Sequence, residues 1–418
     1  MPPSPRTTSS ASCPRSPGVP SSGSSRVAEL ARRVGSIVAI QPWVLGGRRL
    51  PPGSVVAVAM SGGVDSSVAA ALAAASGVDT VGVTMRLWGS EEMERGEGGC
   101  CSIDAVEDAR RVCSRLGIPH YVLNLAEHFR ESVVGDFLSQ YASGRTPNPC
   151  IRCNEKVKFA ELWRRVGAVG ATHIASGHYA EIREGSSGWC TLHRGADRRK
   201  DQSYTLYRSG QAVLAQLVLP LGGLQKPLVR QLADALGLAV AHKPDSQELC
   251  FVGGGDHRAV LERELAGQFG PGPITDLEGS VLGRHQGLPF YTVGQRQGLG
   301  LAVHQAATEP HYVVRVDQAH NTLVVGPWRT LLQRGCEVGQ AVYLERARPA
   351  GEMAAVAQLR AHGLPVEAGW QPQEGNRATV WFAQPQVGVA PGQSLVLYDG
   401  DRVIAGGEIA AAEEPEFV

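Results

Sequence analysis

Two thiols three positions apart, Cys150 and Cys153, stand in the run Gly144-Arg145-Thr146-Pro147-Asn148-Pro149-Cys150-Ile151-Arg152-Cys153-Asn154. Arg152 and Lys156 lie beside them, and a neighbouring cation lowers a thiol's pKa and raises its thiolate fraction. Such a pair suits a nucleophile, half of a zinc site or a redox couple. A closed zinc site asks for four ligands, and no second Cys-x-x-Cys pair occurs in the sequence. A third thiol, Cys250, sits in Lys243-Pro244-Asp245-Ser246-Gln247-Glu248-Leu249-Cys250-Phe251. Taken alone, a cysteine before phenylalanine reads as a core residue. The other run with chemistry in it is Ala59-Met60-Ser61-Gly62-Gly63-Val64-Asp65-Ser66-Ser67. Its glycines let backbone N–H groups approach a phosphate, and a following helix adds partial positive charge. The run lacks the Gly-Lys-Ser/Thr ending of a Walker loop and the three-glycine spacing of a dinucleotide fingerprint, so γ-phosphate transfer and NAD binding are disfavoured.

These residues need elements to hold them. The apolar stretch from Val55 to Met60 reads as a strand, the glycine run as a tight loop, and Val64 to Ala75 as a helix. Further apolar runs at Thr80 to Met85, Tyr121 to Leu125 and His173 to Ser176 alternate with helical stretches, the pattern of a parallel sheet covered on both faces. From Asp104 to Leu116, Val106, Ala109, Val112, Cys113 and Leu116 share one helical stripe, which makes Cys113 a core residue. A mixed region follows, with a helix at Pro227 to Leu236. Beyond Phe290 the pattern turns to strands: His311 to Val316 and Thr322 to Val325 bracket one turn, and Leu395 to Tyr398 and Arg402 to Ala405 bracket Asp399-Gly400.

Forty Lys+Arg balance forty Asp+Glu, so bulk charge gives no warrant for a general nucleic-acid-coating protein or a membrane-surface binder. Any polyanion site must be local. No apolar run approaches the ~20 residues that span a bilayer. Nine cysteines in 418 residues are too few and too irregular for a disulfide framework, which makes a reducing compartment the default. The first 28 residues are rich in Pro, Ser and Thr, carry Arg and no acid, and show no secretory core. They read as disordered, with an organelle transit peptide as the alternative.

The glycine run resembles the SGGxDS loop of the PP-loop ATP pyrophosphatases, which release pyrophosphate and leave AMP on an oxygen. That superfamily includes GMP synthetase, argininosuccinate synthetase, tRNA lysidine synthetase and RNA thiolases. Combined with the Thr146 to Asn154 run and its Lys158-Phe159, Ser176-Gly177-His178-Tyr179-Ala180, Lys200-Asp201-Gln202-Ser203-Tyr204, Ser246 to Phe251 and Thr292-Val293-Gly294-Gln295-Arg296, it is similar to the tRNA-specific 2-thiouridylases (MnmA/TrmU) from about Val55 to the C-terminus.

The resemblance implies a reaction and a set of residues. ATP would adenylate the C2 oxygen of the wobble uridine, turning a poor leaving group into AMP. Cys153 would be the nucleophile and Cys250 the persulfide carrier. Many relatives have Asp where this chain has Cys150, so three thiols could instead hold a [4Fe–4S] cluster, as related RNA thiolases do. Ala59, Met60, Ser61, Gly62, Gly63, Val64, Asp65 and Ser66 would bind ATP, with Met85 and Gly177 lining the adenosine. Mg²⁺ is expected on the phosphates, with Asp65 an indirect helper and no dedicated metal cage. Asn148, Pro149 and Cys150 would face the target base. His178 and the segment Lys200, Asp201 and Gln202 would contact the tRNA, and Gln393 and Arg360 would lie toward the anticodon. Loop polarity accounts equally well for the last two. An extruded base in a deep pocket would let a neutral protein manage with local contacts.

The expected architecture is α/β: a parallel-sheet PP-loop (adenine nucleotide α-hydrolase-like) domain, a small linking domain and a C-terminal antiparallel β-barrel. The boundaries expected are a disordered extension over 1–53, the ATP-binding catalytic domain over 54–222, a linking domain carrying Cys250 over 223–288, and a tRNA-binding barrel over 289–418. The partners expected are tRNA and a sulfur-donor or sulfur-carrier protein, with no membrane. The compartment expected is the cytoplasm, or a mitochondrion or plastid if the first 50 residues are a transit peptide.

Overall fold

A computed structural model describes residues 23–88, 103–245, 250–252, 257–301 and 309–412. The first unit is built on a five-stranded parallel sheet. Its strands are β1 (Val55–Ala59), β2 (Asp79–Arg86), β3 (His120–Asn124) and β4 (His173–Ala175), followed after an antiparallel hairpin, β5 (Ala180–Glu184) and β6 (Cys190–Arg194), by β7 (Leu217–Val218). The sheet order is β3-β2-β1-β4-β7. The middle of β1 is buried because helices cover both faces, and a strand buried on both sides reads as a continuous apolar run. Helix α2 (Val64–Ala75) follows β1 and is buried along nearly its whole length. Helix α3 (Ile103–Leu116) buries Ala109, Val112, Cys113 and Leu116 of the stripe that its sequence spacing predicts, with Ala105 buried in place of the half-buried Val106. Burial pushes the Cys113 thiol up to about 12, as befits a core residue.

The N-terminal extension departs from expectation. Residues 1–22 lie outside the described residues, but 23–53 are folded. Helix α1 (Gly23–Gly35) buries Leu30 and Val34 against the cluster that also holds α2. A two-residue turn at Gly46-Gly47, with φ of 57° and 77°, joins paired strands at Val44–Leu45 and Arg48–Arg49. Both positive φ values are what a tight hairpin turn of matching twist requires. Arg48, 8% exposed, donates to the carbonyls of Leu214, Ala215 and Leu217 and pairs with Glu184. The Pro/Ser-rich composition of the first residues does not extend to this apolar, turn-containing stretch.

In the middle of the chain, β8 (Gly272–Thr275), β9 (Val281–His285), β10 (His311–Asp317) and β11 (Thr322–Pro327) form one sheet in the order β9-β8-β11-β10. The hairpin at 311–327, expected to belong with the barrel, thus pairs instead with 272–285, through a parallel contact of Ile274 with Leu323. Six further strands, β12 (Gln333–Tyr343), β13 (Met353–Gln358), β14 (Val366–Gln373), β15 (Arg377–Gln386), β16 (Ser394–Asp399) and β17 (Arg402–Ala412), run β12-β15-β14-β13-β16-β17. All pairings are antiparallel, and β12 with β17 closes the barrel. Trp370, Val380, Leu395 and Ile409 fill it. The last strand also continues onto the first unit, where Arg402 pairs with His193 of β6. The three-part architecture of parallel-sheet domain, linking unit and closed barrel is the one the sequence implies.

Candidate active site

The glycine run sits at the carboxyl edge of the sheet after β1, between β2 and β4, where the strand order reverses and open sheets of this kind form a crevice. Gly62 has φ of 68°, and a Cβ there would strike the Ala105 backbone of α3. Gly63 precedes α2 in extended conformation, and no side chain caps that helix among the described residues. Its first N–H groups are therefore open to an anion. Ser66 Oγ accepts from the Ser61 amide at 3.1 Å and donates to the Gly63 carbonyl at 3.2 Å, and Ser67 Oγ donates to the same carbonyl at 2.8 Å, which winds the loop on itself. Gly177, just past β4, lies on this loop: a Cβ there would stand 2.7 Å from the Ser66 amide nitrogen. Met60 and Met85 are buried, and Val64 packs in the core. Met60 and its neighbour Ala59 thus contribute backbone rather than a free side chain to the edge.

Asp65 heads a charged network that the sequence did not disclose. Lys226, at the start of helix α5 (Lys226–Ala235), donates to both its carboxylate oxygens at 2.7 and 2.8 Å, and Tyr179 Oη donates at 2.7 Å. The same ammonium lies 2.8 Å from Asp245, which also meets Lys200 at 2.7 Å and Arg230 at 2.8 Å. Burial, which would raise the Asp245 pKa, is outweighed by hydrogen bonds from Lys200 and Lys226, which hold it down at about 2. Burial and the adjacent Asp65 push the Tyr179 phenol far above its usual range. Lys243 donates to the Gly62 carbonyl at 3.1 Å and to Asp108 at 2.9 Å. The segment leading toward Cys250 is thus pinned to the loop and to α3. Both oxygens of Asp65 are on Lys226, and no cluster of three or more metal-ligating side chains stands among the described residues.

The thiol run begins with Asn148, whose side chain accepts from the Ile151 amide at 3.4 Å and caps the short helix α4 (Pro149–Arg152). Pro149 at its first turn supplies a pre-set φ. Cys153 then opens a wide π-type turn through Glu161, a geometry that recurs at functional sites. Cys150 is exposed, Cys153 is buried at 4% and Cys250 is half-buried. Cys153 and Cys250 pack into one apolar cluster, and Phe251 sets its ring 4.9 Å from that of Phe137. Among the described residues, no group of three or more His, Cys, Asp or Glu side chains is assembled to hold a metal. Ser246 to Leu249, and the vicinal Cys100-Cys101, lie outside the described residues.

The residues expected at the RNA divide. His178 is buried, hydrogen-bonded to Ser176 at 2.8 Å and packed near Phe159. Burial, with help from Lys158, pushes its imidazole down to about 3, so it is neutral at physiological pH. Lys200 is taken by Asp245. Asp201 accepts from Arg194, Gly195 and Ser203, and Gln202 bonds both ways with the Tyr179 backbone. These three are half-buried and held by these bonds. Arg360 is exposed, and Gln393 lies in a barrel loop beside the thiol run.

Three family models match in succession: a tRNA methyl transferase HUP domain over 54–254, a tRNA methyl transferase PRC-barrel domain over 258–327 and an aminomethyltransferase beta-barrel domain over 333–409. A tRNA-specific 2-thiouridylase MnmA of Heliobacterium modesticaldum is 47% identical over 357 residues, which cover 85% of this chain and 92% of the relative. The chain belongs to the tRNA-specific 2-thiouridylase MnmA family. A 2-thiouridylase of Roseiflexus castenholzii is 45% identical over 370 residues, covering 85% of this chain and 99% of that one. Among solved structures, a U34-tRNA thiolase NcsA from Methanococcus maripaludis with its [4Fe-4S] cluster is 17% identical over 59% of this chain and 75% of its own, with a TM-score of 0.33. The first family model begins its match at residue 54, so the folded segment 23–53 lies ahead of the matched range. No described helix is long and apolar enough to cross a membrane.

Proposed function

We propose that this chain is a tRNA-uridine 2-sulfurtransferase that thiolates C2 of the wobble uridine, U34, at the expense of ATP. The loop from Ser61 to Ser66 and the N-terminus of α2 hold the phosphates, and Gly177 and Met85 border the nucleoside. The C2 oxygen attacks the α-phosphorus, pyrophosphate leaves, and AMP stays on the base as a good leaving group. Mg²⁺ bound with ATP would neutralise the phosphate charge.

Cys250 carries the sulfur as a persulfide received from a donor or carrier protein. In one order, the terminal sulfur attacks C2 and expels AMP, after which the Cys153 thiolate attacks the Cys250 sulfur and the 2-thiouridine departs with the electron pair of the broken S–S bond. In the other, Cys153 attacks first and releases hydrosulfide, which attacks C2. Both leave a Cys153–Cys250 disulfide, which an external thiol reductant resets.

The observation that carries this reading is the family membership of the chain, 47% identical to a 2-thiouridylase over 92% of that relative, with Cys153 in, and Cys250 against, the same large apolar cluster. Asn148, Pro149 and Cys150 face the base in this reading, and Gln393 and Arg360 lie on the RNA side. The test is pyrophosphate release dependent on added tRNA, together with Cys153→Ser and Cys250→Ser variants. Each should abolish thiolation and leave ATP binding intact. Thiolation persisting in both refutes the sulfur relay.

A further inference from the structure

The turn that carries Cys150 and Cys153 is held from the barrel as well as from its own domain. Arg152, between the two thiols and 9% exposed, donates to Glu408 Oε1 at 2.5 Å. Glu408 lies on β17, the last barrel strand, and is 7% exposed. The same guanidinium donates to Glu155 at 3.1 Å and to Gln340 of β12 at 3.3 Å, and stands 3.4 Å from Asp136. Arg145 lies 3.8 Å from the other Glu408 oxygen and donates to the Ile409 carbonyl at 3.3 Å.

A second set of contacts runs alongside. The Thr146 amide donates to the Pro391 carbonyl at 2.8 Å, and a Cβ at Gly392 would stand 2.7 Å from the Thr146 nitrogen. Gly392 N donates to the Ile409 carbonyl, and Ile409 N donates back to the Gln393 carbonyl at 2.8 Å. Thr146 also bonds Thr292 of the linking unit through their hydroxyls. The barrel loop with Gln393 therefore abuts both the thiol run and the strand that carries Glu408.

Burying an arginine and a glutamate carries a desolvation penalty that a well-packed apolar pair of the same volume would avoid. What the charged pair adds is direction: a planar guanidinium bonded to a fixed carboxylate sets the rotation of the helix it stands on. Arg152 is the last residue of α4, and the wide turn starts at the next residue.

We infer that Glu408 is a positioning residue for Cys153: through Arg152 the barrel sets where the nucleophilic sulfur stands, next to the loop carrying Gln393. This rests on the reading of Cys153 as the relay nucleophile.

The test uses the full chain. In Glu408→Gln, kcat for tRNA thiolation should fall by about tenfold to a hundredfold, the range that misplacing a reacting group produces, while KM for ATP and for tRNA stays within a few-fold. After full reduction, the rate of Cys153 alkylation by iodoacetamide, read by peptide mass, should change several-fold while that of Cys250 does not. The double variant Arg152→Met/Glu408→Met removes both charges of the pair, leaves Glu155 on Arg208 and strips Asp136 of its cation, so it should recover part of the lost Tm, with kcat remaining low. Recovery of kcat along with Tm overturns the proposal, because the pair would then be merely structural. If the double variant fails to fold, the kcat-against-KM split in Glu408→Gln decides. Alkylation requires no thiolation, so an unchanged Cys153 rate in Glu408→Gln sinks this inference alone, whereas thiolation by Cys153→Ser sinks the relay.

Discussion

Replacing Gly177 with alanine tests how closely the end of β4 supports the nucleotide loop. Gly177 is not among the glycines with left-handed φ, so its backbone accepts an alanine without strain and the variant isolates the effect of one methyl group. That methyl carbon would stand 2.7 Å from the Ser66 nitrogen and 2.8 Å from the Asp65 carbonyl carbon, where ordinary contact begins at 3.4 Å. Both neighbours are backbone atoms of the first turn of α2, so the loop must retreat by roughly 0.6 Å, with an overpacking cost of about 1–3 kcal/mol. A shift of that size takes loop N–H groups out of hydrogen-bond range of a phosphate. Losing one such charge-assisted bond costs about 1.5–3 kcal/mol, a weakening of ATP binding by about 10- to 100-fold. Calorimetric titration with a non-hydrolysable ATP analogue measures it, with a thermal melt to separate loop displacement from unfolding. Wild-type affinity with an unchanged Tm would refute the reasoning that Gly177 is glycine because the loop rests on it.

Lys226→Met should cost about 3–5 kcal/mol of stability in urea unfolding, because it leaves Asp65 and Asp245 facing each other without their shared ammonium in a site where Lys226 is 9% exposed; a loss below 1 kcal/mol would mean that solvent screens the pair. His178 gives the chain an acid-sensitive component. Its folded pKa is depressed to about 3 from an ordinary 6.5, so the unfolded chain takes up a proton that the folded one refuses. Its contribution is complete above pH 6.5 and declines as pH falls toward 3, by at most about 1.4 kcal/mol per unit. Unfolding free energies across that window should fall less steeply in His178→Gln, and identical slopes would remove His178 as the cause. Arg48→Ala should lower stability by about 1–3 kcal/mol, since the Leu214, Ala215 and Leu217 carbonyls lose their donor, and a melt matching wild type would show that water replaces it.

The parts legible in the sequence were those whose cause is local. The Ser61 to Ser67 run lies between an apolar strand and an alanine-rich helix, so its place at the sheet edge follows from neighbours alone. The stripe of α3 and the burial of Cys113 follow from helical spacing in the same way. What could not be read depends on partners distant along the chain. Arg152 and Glu408 are 256 positions apart, and Lys226 is 161 from Asp65, so no window of sequence pairs them. Arg152 looked like a cation available to a thiolate, whereas three carboxylates already engage it. The strands at 311–327 were recognisable as a hairpin, but local alternation cannot say which sheet a hairpin joins. Gly46-Gly47 was a readable turn signal, hidden by the composition of the residues before it.

The pairing of Arg402 with His193 makes an eight-stranded ribbon of the barrel wall and the β5–β6 hairpin. Severing the polypeptide ahead of Gln333 would therefore strip a neighbour from two pieces at once, baring hydrogen-bonding edges that invite aggregation. Evolutionary shuffling faces the same obstacle: this barrel cannot be traded for another unless the newcomer brings a strand that mates with the hairpin.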